Sequence, residues 1–239
     1  MRFFPKSNLV PLTLQQAQPP QDPASVQSSV YATKDVKQQL LTDQHHKCCY
    51  CGCNLNGDFG DVEHYRPKMG YALKNTPDGL HKPGYFWLAY DWNNLLLSCS
   101  CCNRSFKKNF FDLKVESARN IEGKDISHEE PLLVNPSTED PSAFIGYHDF
   151  MAYPKVINGA ESDRGQYTIR LLGLNTRQDL VDCRSRVWDK WQTWNKIMKV
   201  GQSLLKKGLT AEGEELLQYA QREIKTMKSP ESEYSEMFV

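Results

Sequence analysis

Hydrophobic positions in this chain follow different periods in different stretches, and those periods predict its elements. Residues 34–45 read as a short helix, with Val36, Leu40 and Leu41 on one face. An aromatic and aliphatic block fills residues 85–97, ending in Asn93-Asn94-Leu95-Leu96-Leu97. Residues 99–112 are expected to begin a helix. Thr176 can cap a long amphipathic helix ending near Gly208, whose stripe is Leu180, Cys183, Val187, Trp191, Trp194, Ile197 and Met198. Trp188 lies off that stripe and widens the buried face, which is expected to pack within the core or against a partner. A second helix should start at Thr210, with Glu212, Glu214 and Glu215 near its positive end, and stop before Ser229-Pro230. Between these elements, residues 11–30 are rich in Pro, Gln and Ser and predict an irregular arm. Residues 131–164 predict loops, with Pro131, Pro136, Pro141 and Pro154 marking turns. No internal repeat is visible.

Composition narrows the class. With 39% hydrophobic and 24% charged residues, the chain is an ordinary globular sequence. No apolar run approaches the roughly 20 residues that span a bilayer, and Met1-Arg2-Phe3-Phe4-Pro5 lacks the apolar core of a signal peptide. The cytoplasm is the expected compartment, where thiols stay reduced and cysteines serve metals more often than disulfides. Formal charge sums to zero, but residues 62–114 hold 8 basic against 4 acidic residues, whereas residues 209–239 hold 3 against 7. A positive middle suits an anionic ligand, although solvated faces would explain the same pattern.

Six of the eight cysteines fall in two clusters, Cys48-Cys49-Tyr50-Cys51-Gly52-Cys53 and Cys99-Ser100-Cys101-Cys102. Gly52 and Gly57-Asp58 punctuate a tight turn around the first. The pairs Cys48/Cys51 and Cys99/Cys102 are two matched C-x-x-C turns, which supply four thiolates for a closed, structural Zn²⁺ site. Cys49, Cys53 and Cys101 remain alternative ligands. The 47 residues between the pairs leave room for something more.

That interval contains Asp61-Val62-Glu63-His64-Tyr65-Arg66-Pro67-Lys68, a carboxylate directly followed by a histidine. Side chains of adjacent strand residues point to opposite faces, but at a strand end or bulge they can serve a metal and a water separately. Glu63-His64, then Asn94-Leu95, then Cys99-x-x-Cys102-Asn103 and Lys107 resemble the signature of HNH endonucleases in its cysteine-bearing form. Asn103 stands where many members have His, and Glu63 where Asp is commoner. With Phe86-Trp87-Leu88-Ala89-Tyr90-Asp91-Trp92 and Glu130-Pro131-Leu132-Leu133-Val134-Asn135-Pro136, the match over residues 45–195 is similar to a narrower group. These are the HNH effectors of Septu-type bacterial anti-phage systems, including those attached to retrons, which work with an ATPase subunit.

The resemblance implies an α+β fold with a zinc-stapled ββα core over residues 48–112. It divides the chain into an arm (1–33), a nuclease core (34–130), and a loop-rich then helical region (131–239) expected to dock on the ATPase. It also implies phosphodiester hydrolysis with His64 as general base, since an imidazole near pKa 6.5 can take a proton at neutral pH. Glu63 and Asn103 would hold a Mg²⁺ or Mn²⁺ ion through oxygen, and Asn94 would fix the loop carrying His64. Arg66, Arg104, Lys107 and Lys108 are candidate phosphate contacts. Asp61 could replace Glu63, and Asn93 could replace Asn94. His81, His128 and His148 are expected to be structural or exposed, with His128 a possible extra contact. DNA is the favoured substrate; RNA such as a tRNA, or a non-catalytic zinc module that binds nucleic acid or a partner, are the competing readings.

Overall fold

The computed structural model describes residues 1–55, 60–74, 76 and 79–238; the Gly57-Asp58 turn lies outside them. Helix α1 (Leu12–Gln16), α2 (Ser28–Tyr31) and α3 (Lys34–Asp43) precede an antiparallel hairpin of β1 (Asp61–His64) and β2 (Leu95–Ser98). Its register pairs Asp61 with Ser98, Val62 with Leu97, Glu63 with Leu96 and His64 with Leu95. All four residues of β2 are buried, which explains a continuous leucine run in place of alternation.

Helix α3 forms where expected and buries Val36, Leu40 and Leu41. Past its end, Gln44 behaves like a piece of neighbouring strand. Its Oε1 accepts from Leu97 N at 2.8 Å and its Nε2 donates to Leu97 O at 2.7 Å. The chain following β2 differs from expectation. In place of a helix running to residue 112, a π-type turn covers Cys101–Lys107, with Lys108 N donating to Asn103 O at 2.8 Å. Lys108 has a positive φ of 47°, and Phe111 N then bonds Ala72 O at 3.0 Å. Backbone pairing with residue 72 thus wins over helix continuation.

Two other stretches hold more structure than their prolines suggested. Residues 131–164 contain the hairpin β3 (Ile145–His148) and β4 (Met151–Pro154), then the short pair β5 (Val156–Ile157) and β6 (Ala160–Glu161). Asn158-Gly159 turns the second pair with positive φ at both residues, a recognised hairpin signal. Helix α4 (Asp163–Leu171) follows, capped by Ser162 Oγ accepting from Gly165 N at 3.1 Å. The arm is helical in pieces and lies on its own core: Met1, Phe4 and Leu14 are buried, and the Lys6 ammonium bonds the carbonyls of Trp92 and Leu95.

Helix α5 (Gln178–Lys206) starts two residues after Thr176, with Arg177 at the capping position and no side-chain cap. Helix α6 (Thr210–Lys228) begins and ends as expected. The tryptophan stripe packs internally: Trp191 stacks on Phe238 at 4.3 Å, and Trp194 meets Tyr219 edge-on at 5.2 Å. Gly201 and Gly213 allow the two helices to touch, since a Cβ on Gly201 would lie 3.0 Å from Gly213 O. Among the described residues, no helix is long and apolar enough to cross a membrane. One hydrophobic cluster runs from Met1 to Met237 and takes in arm, hairpin and helices.

Replacing Gln44 with Ala leaves the Leu97 N–H and C=O without these partners in the interior. The expected cost is about 1–3 kcal/mol, read as a lower urea midpoint at unchanged slope.

Candidate functional site

The two cysteine pairs meet beneath the hairpin. The Sγ atoms of Cys48, Cys51, Cys99 and Cys102 all lie within 4.8 Å of one another, and Cys51 and Cys99 are 3.8 Å apart. A tetrahedral ion with Zn–S bonds of about 2.3 Å has S···S edges of about 3.8 Å. The four thiols can therefore hold zinc, and Cys49, Cys53 and Cys101 stand outside that group. The backbone prepares the site: Gly52 N donates to Cys48 O at 3.0 Å, and Cys49 N to Leu97 O at 3.0 Å. Arg177, which sequence reasoning did not single out, donates from Nη1 to Cys102 Sγ at 3.1 Å. Such a donor disperses thiolate charge on a closed zinc centre.

Glu63 and His64 leave β1 on different errands. Glu63 is buried and receives the Lys107 ammonium at 2.5 Å, the two side chains being 4% and 1% exposed; Tyr50 Oη donates to it more weakly, at 3.4 Å. Burial pushes the carboxyl up and the ammonium down, and their contact opposes both shifts. Lys107 also donates to His64 O at 2.6 Å.

The His64 imidazole is tied at Nε2 to Ala89 O, 3.0 Å away, and faces Lys68 Nζ at Nδ1, 3.3 Å away. A carbonyl only accepts, so Nε2 carries the proton and Nδ1 the lone pair. Burial first, then the Lys68 ammonium, hold the imidazole well below its usual range. Asn94 clamps the following residue pair. Its Oδ1 accepts from Arg66 N at 2.8 Å, and its Nδ2 donates to the carbonyls of Arg66 and Leu88, each at 3.1 Å. Tyr65 N adds a bond to Asn94 O at 2.9 Å. The neighbouring Asn93 is exposed and only donates its backbone N–H to Asp91.

Other expected roles change. Arg66 is not a surface cation; it is buried and ion-paired with Glu129, which also accepts from Tyr85 Oη at 3.1 Å. Lys107 is equally interior. Neither reaches a phosphate without breaking a buried pair. Arg104 and Lys108 are exposed, and Arg104 holds Asp61 through Nε at 2.7 Å and Nη2 at 2.6 Å. Asp61 is thereby engaged elsewhere and does not replace Glu63. Asn103 is half-buried at the start of the π-type turn. A divalent ion held by Glu63 and Asn103 would compete with Lys107, which bonds the carboxylate at Oε1. His81 stacks on Tyr71 at 5.0 Å, while His128 and His148 are exposed.

A cysteine-stapled hairpin with an oriented imidazole on one face defines a small α+β module. No family model matches the chain. It is similar to the Septu protein PtuB of Bacillus mycoides, 38% identical over 159 residues, or 66% of this chain and 52% of that protein. It is also similar to the Septu protein PtuB of Bacillus thuringiensis, 26% identical over 212 residues, or 87% of this chain and 68% of that protein. The chain thus spans about half the length of the first relative.

Purified protein should contain about one zinc per chain. Cys51→Ser or Cys99→Ser should lose it and the cooperative thermal transition, while Cys49→Ser keeps both; metal analysis beside calorimetry checks this. Lys107→Met should cost about 3–5 kcal/mol, because it strands a buried carboxylate. Adding Glu63→Met should recover most of that loss in chemical denaturation, whereas additive costs would contradict the pairing.

Proposed function

We propose that this chain is an HNH-type endonuclease that hydrolyses phosphodiester bonds of nucleic acid, DNA in preference to RNA. We further assign it as the effector of a Septu-type anti-phage system that acts with an ATPase subunit. The observation that carries the reading is the state of His64. It is neutral, its tautomer is set by Ala89 O, and its supporting loop is locked by Asn94. A general base needs an imidazole held neutral and oriented in this way. Similarity to two Septu proteins supports the defence role.

In this reading a water at Nδ1 loses its proton to His64 and its oxygen attacks phosphorus, while the P–O ester bond opposite breaks and the leaving alkoxide takes a proton from solvent. Asn94 keeps the imidazole in place, and exposed Arg104 and Lys108 draw the anionic backbone toward the hairpin. The divalent ion that the family resemblance implies would compete with Lys107 for Glu63, and no step above depends on it. Zinc on the four thiolates has no open position and serves the fold.

The test is nicking of plasmid DNA, with a tRNA pool in parallel, by wild type and His64→Ala. Each is run with Mg²⁺, with Mn²⁺ and without added divalent ion, and with the ATPase subunit as a further arm. Cleavage by wild type, reduced by about 10²-fold or more in the variant, is the expected result. A zinc-loaded protein inert on both substrates, with and without the ATPase, would instead make this a binding module. The pH profile gives a second readout. Because the folded imidazole titrates below its usual range, the rate should stay level as pH falls through about 6.5 and decline only at lower pH. The same depression contributes stability that is present above about pH 6.5 and lost as pH falls toward the folded value.

A further inference from the structure

Three cations close to the β1–β2 hairpin are neutralised by an acid, Arg66 by Glu129, Arg104 by Asp61 and Lys107 by Glu63, and the Lys6 ammonium is bound by the carbonyls of Trp92 and Leu95. Lys68 differs. Among the described residues no carboxylate pairs with it. It is half-buried, and its ammonium stands 3.3 Å from His64 Nδ1. The same ammonium lies 4.8 Å above the centre of the Tyr31 ring, and the edge of that ring packs on the imidazole at 4.6 Å and 84°. Tyr31 belongs to α2 in the N-terminal arm, so the arm forms one wall of this site.

This arrangement is unfavourable for the protein alone. A partly desolvated ammonium without a paired anion is costly, and here it contacts an uncharged imidazole and an aromatic ring, with the Glu63 carboxylate acting on it from beyond ion-pair distance. An anion entering beside Nδ1 would relieve that cost by accepting from the ammonium, which leaves the Nδ1 lone pair to a water. We propose that Lys68 is the cation that binds the scissile phosphate beside His64, with Tyr31 as the residue that positions it. The proposal rests on the nuclease reading above. A lysine suits the task, because its ammonium is a point charge on a flexible stem that can swing from Nδ1 to a non-bridging oxygen as water takes its place.

The test compares wild type, Lys68→Met, Lys68→Arg, Tyr31→Ala, Tyr31→Phe and His64→Ala, all checked for zinc content and melting temperature. Binding of a labelled oligonucleotide is measured against salt concentration without added divalent ion, and single-turnover cleavage is measured in parallel. Lys68→Met should lower the slope of log affinity against log salt by about one and slow cleavage by about 10²-fold or more. Lys68→Arg should keep the slope and most of the rate. Tyr31→Ala should raise KM with kcat little changed, and Tyr31→Phe should match wild type. Lys68→Met with wild-type slope and rate, beside an inactive His64→Ala, would overturn this proposal alone. A lost rate with an unchanged slope would also overturn it, by assigning Lys68 to the imidazole and not to the phosphate. A wild type that neither binds nor cuts would remove the nuclease reading and this proposal together.

Discussion

Convergence of two cysteine pairs at one point beneath the hairpin is the constraint on which the rest of the structure depends. The pairs are 47 residues apart in sequence, and closing so long a loop costs conformational entropy that grows with its length. The leucine-rich β2 helps to offset that cost, and a bound metal would add far more, since apparent zinc-binding energies of small stapled domains reach about 10–16 kcal/mol. With Cys48–Cys51 fixed against Cys99–Cys102, the chain between them must run out along β1 and return along β2. The register that results puts His64 opposite Leu95, directly after the Asn94 clamp. The staple therefore does more than stabilise; it brings the imidazole and its support into line.

The two faces of β1 divide the labour. Asp61 and Glu63 point one way and His64 the other, as the period of two requires. On the acid face, the π-type turn supplies Arg104 and Lys107, three residues apart, to match acids two residues apart along the strand. This ladder satisfies buried charge and ties the turn to the hairpin. On the opposite face, the imidazole meets Ala89 O, Lys68 and Tyr31. Adjacent residues that look like one acid–base pair in sequence thus point to opposite sides of the strand and meet different partners.

The four clustered cysteines were readable from spacing, because a C-x-x-C turn places two thiols in a fixed local geometry. Helix α3 was readable from periodicity and α6 from its end signals, and α3 buries the Val36, Leu40 and Leu41 face that its stripe marks. Pairing decisions were not readable. Nothing local says that Lys107 turns inward to Glu63 or that Arg66 finds Glu129 63 residues away, since lysine and arginine near a hairpin look equally suited to phosphate. The truncated turn after Cys102 escaped for a similar reason, as its stop is set by strand-like contact with Ala72. Two misses did carry local signals: Asn158-Gly159 marks a hairpin, and Ser162 followed by Asp163 marks the start of α4.

The C-terminal region is wired into the stapled loop at several places. Arg177, just before α5, bonds Cys102 Sγ. Beyond α6, Ser232 O and Ser235 Oγ accept from Lys47 Nζ at 2.9 and 3.1 Å, and Glu233 Oε1 accepts from Asn54 N at 2.6 Å. Phe238, stacked on Trp188 and Trp191, anchors this returning tail to α5. A force on the α5–α6 hairpin would reach both C-x-x-C turns through packed, hydrogen-bonded contacts. Movement of those turns would shift β2 against β1 and loosen the Asn94 clamp on the His64 loop. The stacked tryptophans and Phe238 thus tie α5 to the segment that lies against the first cysteine pair.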